Sequence, residues 1–157
     1  MLLQQRKNAI HLNNQKMNKT AIILGATGLT GSILLEKLIN DDRYKTIKLF
    51  SRKEIVGLSS KVIQYVGSLF ELESFKDEFT GDEVYCCIGT TANKTPDKAV
   101  YKAIDYGIPV TSAKLSKENG IPSFLVVSSL GANEKSNVFY SKTKGEMERD
   151  VLLEKIN

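Results

Sequence analysis

Three glycines spaced three residues apart form the most informative pattern in the sequence. Gly25, Gly28 and Gly31 follow the apolar run AIIL and precede a segment with apolar residues at helical spacing. In such a turn the first glycine permits a sharp bend, the second lets the backbone approach a diphosphate, and the third lets the helix lie close to the sheet. A turn without a ligand is the alternative. The strand before and the helix after favour a dinucleotide site, with the helix N-terminus facing the phosphates.

A basic cluster follows the second apolar run, where a carboxylate would bind the ribose hydroxyls of NAD. The sequence at this place is Ser51-Arg52-Lys53. A guanidinium group suits a phosphate dianion, so Arg52, supported by Ser51 and Lys53, favours NADP over NAD. A solvated turn is the alternative interpretation. The expected cofactor is therefore NADP, with NAD as the second choice.

A tyrosine and a lysine lie four residues apart near the C-terminal end of the sequence. Tyr140 and Lys144 share one face if this segment is helical, as Phe139, Thr143 and Met147 indicate. On residue types alone, a packing tyrosine and a surface lysine are the more common interpretation. The pair therefore gains a chemical meaning only from its context.

The elements that must position these residues are visible as alternating apolar runs. Five runs predict strands, at residues 20–24, 46–50, 62–66, 83–88 and 123–127. Helical segments lie between them, and two of these, 97–105 and 111–119, are expected to be separated by a break at Gly107 and Pro109. Runs that are apolar on both faces are typical of a parallel sheet covered on each side. The predicted fold is α/β, a doubly wound parallel sheet of about five strands in the order 3-2-1-4-5, in three αβα layers.

The charge distribution limits the choice of partners. The formal net charge of +4 comes from Arg6, Lys7, Lys16 and Lys19, and the rest of the chain is balanced, so no nucleic acid is expected. No stretch approaches the roughly 20 apolar residues of a membrane span, so no membrane is expected either, and a cytoplasmic location is predicted.

The start of the chain is expected to lie outside the domain. We interpret residues 1–18 as a leader, either a mis-start, an expression remnant or a floppy arm, and residues 19–157 as one domain. The adjacent Cys86 and Cys87 fit neither a metal site nor a disulfide framework, so reduced, buried thiols are expected and no metal.

Taken in order along the chain, several motifs resemble the atypical short-chain dehydrogenases. They are the glycine turn, Ser51-Arg52, Gly89-Thr-Thr91, Ser128-Ser-Leu-Gly-Ala132 and Tyr140-Ser-Lys-Thr-Lys-Gly-Glu146. The sequence is similar in particular to the Tat-interacting-protein type of NAD(P)-binding oxidoreductase and its bacterial relatives, over Lys19 to about Leu153. The resemblance implies a Rossmann-like fold and an NAD(P)-dependent oxidoreductase.

The resemblance also implies roles for individual residues. Tyr140 would transfer the proton while a hydride moves to or from the nicotinamide, and Lys144 would assist it and hold the nicotinamide ribose. A serine after the fifth strand would bind the substrate oxygen, and Ser128 is preferred with Ser129 as the alternative. The implied cofactor contacts are Gly25, Thr27, Gly28, Leu29, Gly31, Ser51, Arg52, Lys53, Ser68, Gly89, Thr90 and Lys144. Ser68 departs from the acid that the family often has near the adenine.

Members of that family continue past the tyrosine-lysine helix, so the resemblance implies a domain truncated at its substrate-binding end. The fifth strand would then lie at an open edge, which predicts a homo-oligomer or a partner that covers it. The substrate is expected to be a small molecule with a carbonyl or alcohol group, otherwise unidentified. A non-catalytic NADP-binding sensor or regulatory module is the alternative function, and an epimerase or dehydratase would use the same residues.

Overall fold

The computed structural model describes residues 18–156, so the interpretation of the leader lies almost wholly outside the described residues. The strands are β1 (Lys19–Leu24), β2 (Tyr44–Ser51), β3 (Val62–Val66), β4 (Glu83–Cys86) and β5 (Ser123–Val126). The α-helices are α1 (Leu29–Ile39), α2 (Lys98–Lys102), α3 (Ile108–Glu118) and α4 (Phe139–Leu153), and a 3-10 helix covers Leu69–Phe75. Among the residues described, no helix has the length and apolar character needed to cross a bilayer.

The five strands form one parallel sheet in the order β3-β2-β1-β4-β5, which confirms the predicted fold class. The order reverses beside β1, because β2 and β4 pair with its two edges. At such a reversal the loops after neighbouring strands diverge and leave a crevice at the carboxyl ends of the strands, where ligands bind in sheets of this kind.

The sheet is buried on both faces because β1 is apolar at every position from Ala21 to Leu24. Ala21 and Ile23 pack on the side of α1 together with Leu35 and Leu38. The alternate residues of β1 pack on the opposite side against β4, the 3-10 helix and α3, in a cluster that includes Ile22, Leu24, Leu72, Val84 and Leu115. Apolar burial on both faces fixes the sheet as the middle of three layers.

The predicted break at Gly107 and Pro109 is absent, and the chain remains helical from Lys98 to Glu118. The residues Ala103–Gly107 form a π-helical turn between α2 and α3, in which the Ile108 N–H donates to the Ala103 carbonyl. Pro109 has no N–H for the carbonyl of Asp105 and its ring would clash with that carbonyl in a regular helix. The wider turn accommodates the proline without ending the helix.

A polar cluster joins the first residues of three neighbouring strands. The Glu83 carboxylate of β4 forms an ion pair with Lys19 of β1 and accepts hydrogen bonds from the hydroxyls of Tyr44 in β2 and, at 2.7 Å, of Tyr85. The two tyrosine hydroxyls are 3.0 Å apart. This cluster lies at the amino ends of the strands, whereas the crevice lies at their carboxyl ends.

The helix α4 is held close to the loop that precedes it. A Cβ atom added at Gly145 would lie 2.1 Å from the backbone nitrogen of Glu134 and 2.3 Å from the carbonyl carbon of Asn133. The Asn133 N–H also donates to the Ser141 carbonyl at 2.9 Å. Only glycine at position 145 allows the loop backbone to touch the helix in this way.

Candidate functional site

The glycine turn has the geometry expected of a phosphate-binding elbow. Gly25 has a φ of +87°, and a Cβ atom there would lie 2.8 Å from the Cys87 carbonyl oxygen. A Cβ at Gly31 would lie 2.1 Å from the Gly25 carbonyl oxygen, so this glycine brings α1 against the turn. At Gly28 the nearest atom would be 3.4 Å away, an ordinary contact. Protein packing therefore requires Gly25 and Gly31, whereas Gly28 leaves open space at the N-terminus of α1.

A cleft of about 420 Å³ opens in front of this turn. Six of the residues predicted to contact the cofactor line the cleft: Gly25, Thr27, Gly28, Arg52, Gly89 and Thr90. Phe70 and Lys94 also line it and were not predicted. Phe70 is 59% exposed, which is unusual for a phenylalanine and suits a side chain that covers a planar ligand.

The remaining predicted cofactor residues lie near the cleft but do not line it. The Ser51 hydroxyl donates to the Lys53 carbonyl at 2.8 Å, so these two residues stabilise their own turn beside Arg52. Ser68 precedes the 3-10 helix, and its successor Leu69 forms the wall of the cleft instead. Leu29 is 82% exposed at the start of α1.

The helix α4 carries Tyr140 and Lys144 one turn apart, as predicted. Tyr140 is 42% exposed, whereas Lys144 is buried and its ammonium lies 3.0 Å from Oδ1 of the buried Asp105. This contact is an ion pair rather than an aligned hydrogen bond, because Oδ1 has no hydrogen-bond partner among residues 18–156. The other carboxylate oxygen of Asp105 accepts from the Thr90 N–H at 2.8 Å. Asp105 thus connects the loop after β4 to α4.

Asp105 was not among the residues predicted from the sequence, although a signal exists. It lies four residues before Pro109, in the π-helical turn, and such turns are frequent at functional sites. A Cβ added at Gly89 would lie 3.5 Å from Asp105 Oδ1 and 3.9 Å from the Lys144 nitrogen. The ion pair therefore lies directly behind a glycine of the cleft.

The two candidate serines have buried hydroxyls. Ser128 lines a groove of about 310 Å³ between β5 and α4, together with Phe124, Val126 and Val151. Neither Ser128 nor Ser129 lines the cleft or the cavity that Tyr140 lines. Both Oγ atoms lack a hydrogen-bond partner in the part of the chain that is described.

A second cavity, of about 510 Å³, adjoins the cleft and contains Tyr140 in its wall. Thr90 and Thr95 line both spaces, and their hydroxyl oxygens are 2.9 Å apart. Of the buried side-chain oxygens in residues 18–156, four have no hydrogen-bond partner: Tyr101 Oη, Asp105 Oδ1, Ser128 Oγ and Ser129 Oγ. All four belong to the predicted catalytic residues or to residues that contact them, and unpaired buried polar groups of this kind call for a functional explanation.

Both cysteines are free thiols, and Cys86 is buried as expected, whereas Cys87 is only partly buried. Burial raises the pKa of Cys86 to about 11, and burial also raises the pKa of Cys87, which lines the cleft. The thiolate forms that react with oxidants or metals are therefore disfavoured. Within residues 18–156 no group of three or more metal-ligating side chains lies together.

No family model matches the sequence, but curated relatives do. The chain is 35% identical over 135 residues to Protein FMP52, mitochondrial, of Debaryomyces hansenii, a match that covers 85% of this chain and 60% of the relative. It is 32% identical over 138 residues to Protein HTATIP2 of Rattus norvegicus, covering 85% and 57% respectively. The chain thus spans about 60% of the length of the curated relatives it matches.

Solved structures share the fold at low sequence identity. WbmG of Bordetella bronchiseptica in complex with NAD gives a TM-score of 0.74 at 15% identity, over 88% of this chain and 51% of that one. UDP-glucose 4-epimerase of Thermotoga maritima gives 0.71 at 17% identity, over 86% and 50%. At these identities the likeness shows the fold alone, a Rossmann-like parallel sheet with helices on both faces.

The predicted cytoplasmic location is wrong. The relatives from Debaryomyces hansenii, Candida albicans and Scheffersomyces stipitis are all named mitochondrial proteins, so the homology points to mitochondria. The prediction depended on the lack of an apolar segment, and that feature does not distinguish the cytoplasm from the mitochondrial interior.

Proposed function

We propose that the chain, which as a homologue of HTATIP2 and the FMP52 proteins belongs to the atypical short-chain dehydrogenase/reductase family, is an NADP-dependent oxidoreductase of carbonyl or alcohol substrates. The observation that carries this proposal is the junction of two spaces at Thr90 and Thr95. One space is the cleft in front of the glycine turn, and the other has Tyr140 in its wall. A coenzyme in the first would lie next to a substrate in the second, as hydride transfer requires.

The residues of the cleft fit a dinucleotide. The open space at Gly28 admits a diphosphate to the N–H groups at the start of α1. Arg52 lines the cleft and supplies the guanidinium fork that favours the phosphate of NADP, and Lys94 adds a second cation. When bound, the coenzyme would supply a hydride to a carbonyl carbon, or accept one from the alcohol.

Tyr140 is the residue proposed to transfer the proton. Its ring lines the cavity and its side chain is partly exposed, so its hydroxyl is accessible to the oxygen of a bound substrate. It donates the proton to the oxygen of a carbonyl compound on reduction and takes it back on oxidation. Lys144 lies behind Gly89, at the position proposed to hold the nicotinamide ribose. Ser128 and Ser129 remain alternatives for binding the substrate oxygen.

A non-catalytic NADP-binding module is the second candidate, and the site gives it support. The Lys144 ammonium is paired with Asp105, which neutralises the charge that would assist Tyr140. Neither serine lines the cavity that contains Tyr140. The two functions differ in one observable, since a sensor binds the coenzyme without consuming it.

Calorimetric titration of the purified chain with NADP and NAD tests the coenzyme site. Gly28→Ala should abolish binding with only a small fall in melting temperature, because its Cβ fits the protein and obstructs the ligand, while alanine is a poorer N-cap than glycine. Gly107→Ala is the matched control, since its Cβ also has room, 4.0 Å from the nearest atom. Arg52→Ala should weaken NADP binding by about tenfold or more and NAD binding little, as expected for charge-assisted hydrogen bonds.

The same protein then separates the enzyme from the sensor. Turnover of NADPH with a carbonyl compound that is lost in Tyr140→Phe, with coenzyme binding retained, supports the oxidoreductase. Binding of NADP without any turnover supports the sensor. A folded chain that binds neither NADP nor NAD at millimolar concentration would contradict both the oxidoreductase and the sensor.

A further inference from the structure

The cavity beside Tyr140 is suited to an apolar ligand. It measures about 510 Å³, within the range of small-molecule sites, and the surface facing it is mostly carbon. Pro96, Val138 and Phe139 lie in this surface, and among the described lining residues Lys98 is the one basic or acidic side chain. The cavity's hydrogen-bonding groups are mainly the hydroxyls of three threonines and two tyrosines, so a largely apolar ligand with one polar group fits it better than a ligand that is polar throughout.

The Tyr101 hydroxyl is the unexplained polar group of this cavity. The side chain is 3% exposed, lines the cavity, and its Oη has no hydrogen-bond partner among residues 18–156. Its ring is fixed by edge-to-face packing, with centroid distances of 5.5 Å to Phe139 and 6.3 Å to Tyr140. Packing therefore holds the hydroxyl in place although it gains no hydrogen bond, which is costly for a buried donor.

Tyr101 and Tyr140 are suited to different tasks. Burial raises the pKa of Tyr101 to about 12, and negative charge on Asp105 and on ionised Tyr140 acts in the same direction. The Tyr101 hydroxyl therefore keeps its proton at neutral pH and can donate a lasting hydrogen bond. Tyr140 is far more exposed, at 42%, and is the one placed to exchange a proton with a substrate.

We propose that the cavity binds an aromatic carbonyl compound or the corresponding alcohol, and that Tyr101 binds its oxygen as a hydrogen-bond donor. The inference rests on the proposed function, in which Tyr140 supplies the proton to that same oxygen. The rings of Tyr101, Phe139 and Tyr140 already pack edge to face, and an aromatic ligand extends this cluster in the geometry that such rings prefer. The carbonyl group then lies towards Thr90 and Thr95, where the cleft begins.

Ligand-detected NMR titration of the full chain without coenzyme tests the binding step. Acetophenone has the carbonyl acceptor and ethylbenzene is its near-isosteric hydrocarbon. We expect acetophenone to bind the wild-type protein more tightly than ethylbenzene, and Tyr101→Phe to weaken acetophenone alone, by roughly three- to tenfold, the net value of one hydrogen bond. Tyr65→Phe is the matched control, since Tyr65 stacks on Phe50 in the core and does not line the cavity.

Thermal unfolding separates a ligand contact from a structural role. Because the Tyr101 hydroxyl has no partner in the described chain, Tyr101→Phe should melt at the wild-type temperature or above it. If acetophenone is reduced with NADPH, Tyr101→Phe should raise KM and lower kcat only in part, because its hydrogen bond assists the developing charge on the oxygen, whereas Tyr140→Phe should remove kcat.

Three results would overturn the inference: equal binding of the two ligands, acetophenone binding unchanged in Tyr101→Phe, or a lower melting temperature in that variant. Failure to bind either coenzyme, with Tyr101-dependent acetophenone binding retained, contradicts the proposed function and supports the assignment of the cavity. Coenzyme binding with no Tyr101-dependent ligand binding supports the function and contradicts the assignment.

Discussion

At the level of single residues, the ion pair between Asp105 and Lys144 determines how the site is assembled. Both side chains are buried, and together they connect the Thr90 loop, the π-helical turn and α4. A buried ion pair adds little net stability compared with apolar residues, but a buried charge that loses its partner is strongly destabilising. The pair therefore constrains the site more than it stabilises the fold.

The change Asp105→Asn tests this constraint. It keeps an acceptor for the Thr90 N–H but leaves the Lys144 ammonium without a counter-charge, with only the Val127 carbonyl at 3.5 Å, so we expect the free energy of unfolding to fall by about 3 kcal/mol. Urea denaturation measures it, and Asp97→Asn is the control, because asparagine caps a helix as well as aspartate does. Adding Lys144→Met to Asp105→Asn should restore part of the loss, and strictly additive effects would contradict the pairing.

Residue types and spacing predicted part of this site and missed the rest. The glycine turn, Arg52 and the Tyr140–Lys144 pair follow from local sequence, because a turn and a helix each bring near neighbours together. Asp105 and Tyr101 could not be predicted in this way, since their importance comes from contacts with α4, which is distant in sequence. The chosen Ser128 lines the groove between β5 and α4, a placement that spacing does not reveal.

At the level of elements, the Glu83 cluster joins β1, β2 and β4 and makes stability depend on pH. Burial acts to raise the pKa of Glu83, but hydrogen bonds from Lys19, Tyr44 and Tyr85 outweigh it and lower the pKa below its ordinary value of 4.5. The charged carboxylate therefore stabilises the fold above about pH 4.5, and this contribution is lost as the pH falls through the folded-state pKa.

The change Glu83→Gln should remove this dependence. We expect a loss of about 2 kcal/mol at pH 7, typical of hydrogen bonds to a charged group, and a smaller difference from wild type at pH 3. Urea denaturation at both pH values measures the effect. Glu118→Gln is the control, since both side chains of the ion pair between Glu118 and Lys76 are about half exposed and such a pair contributes little stability. An equal loss at both pH values would exclude the charge as the cause.

The strands were easier to predict than the helical run between β4 and β5. Each strand contains a short run of apolar residues that becomes buried when the sheet forms. Its position along the chain can therefore be predicted from the local sequence. Gly107 and Pro109 predicted a break because both residues disfavour a regular helix. The structure instead inserts a π-helical turn, which the packing of Asp105 and Ile108 keeps in place.

At the level of the whole molecule, β5 is the last strand of the sheet in the described chain, and its edge is apolar. Leu125 and Val127 are 46% and 40% exposed, and Leu152 of α4 is 75% exposed beside the groove. Exposed apolar surface at a sheet edge favours association. We propose that a second copy of the chain covers this edge.

Light scattering at micromolar concentration should then detect a dimer. Leu152→Glu should shift it towards the monomer without loss of folding, because the side chain is largely exposed. Val56→Glu, at an 86% exposed residue away from β5, should have no such effect. A wild-type protein that is monomeric throughout the micromolar range would show the proposal to be wrong.

The contact at Gly145 gives the loop before α4 a mechanical role. The backbone of Asn133 and Glu134 touches the helix where any side chain would collide with it. A helix that slid by one residue would travel about 1.5 Å along its axis and turn through about 100°. It would then present a bulkier residue to the loop. The loop thus prevents α4 from sliding along its axis. Tyr140 and Lys144 therefore keep their positions relative to the sheet, even though no side chain caps the start of the helix.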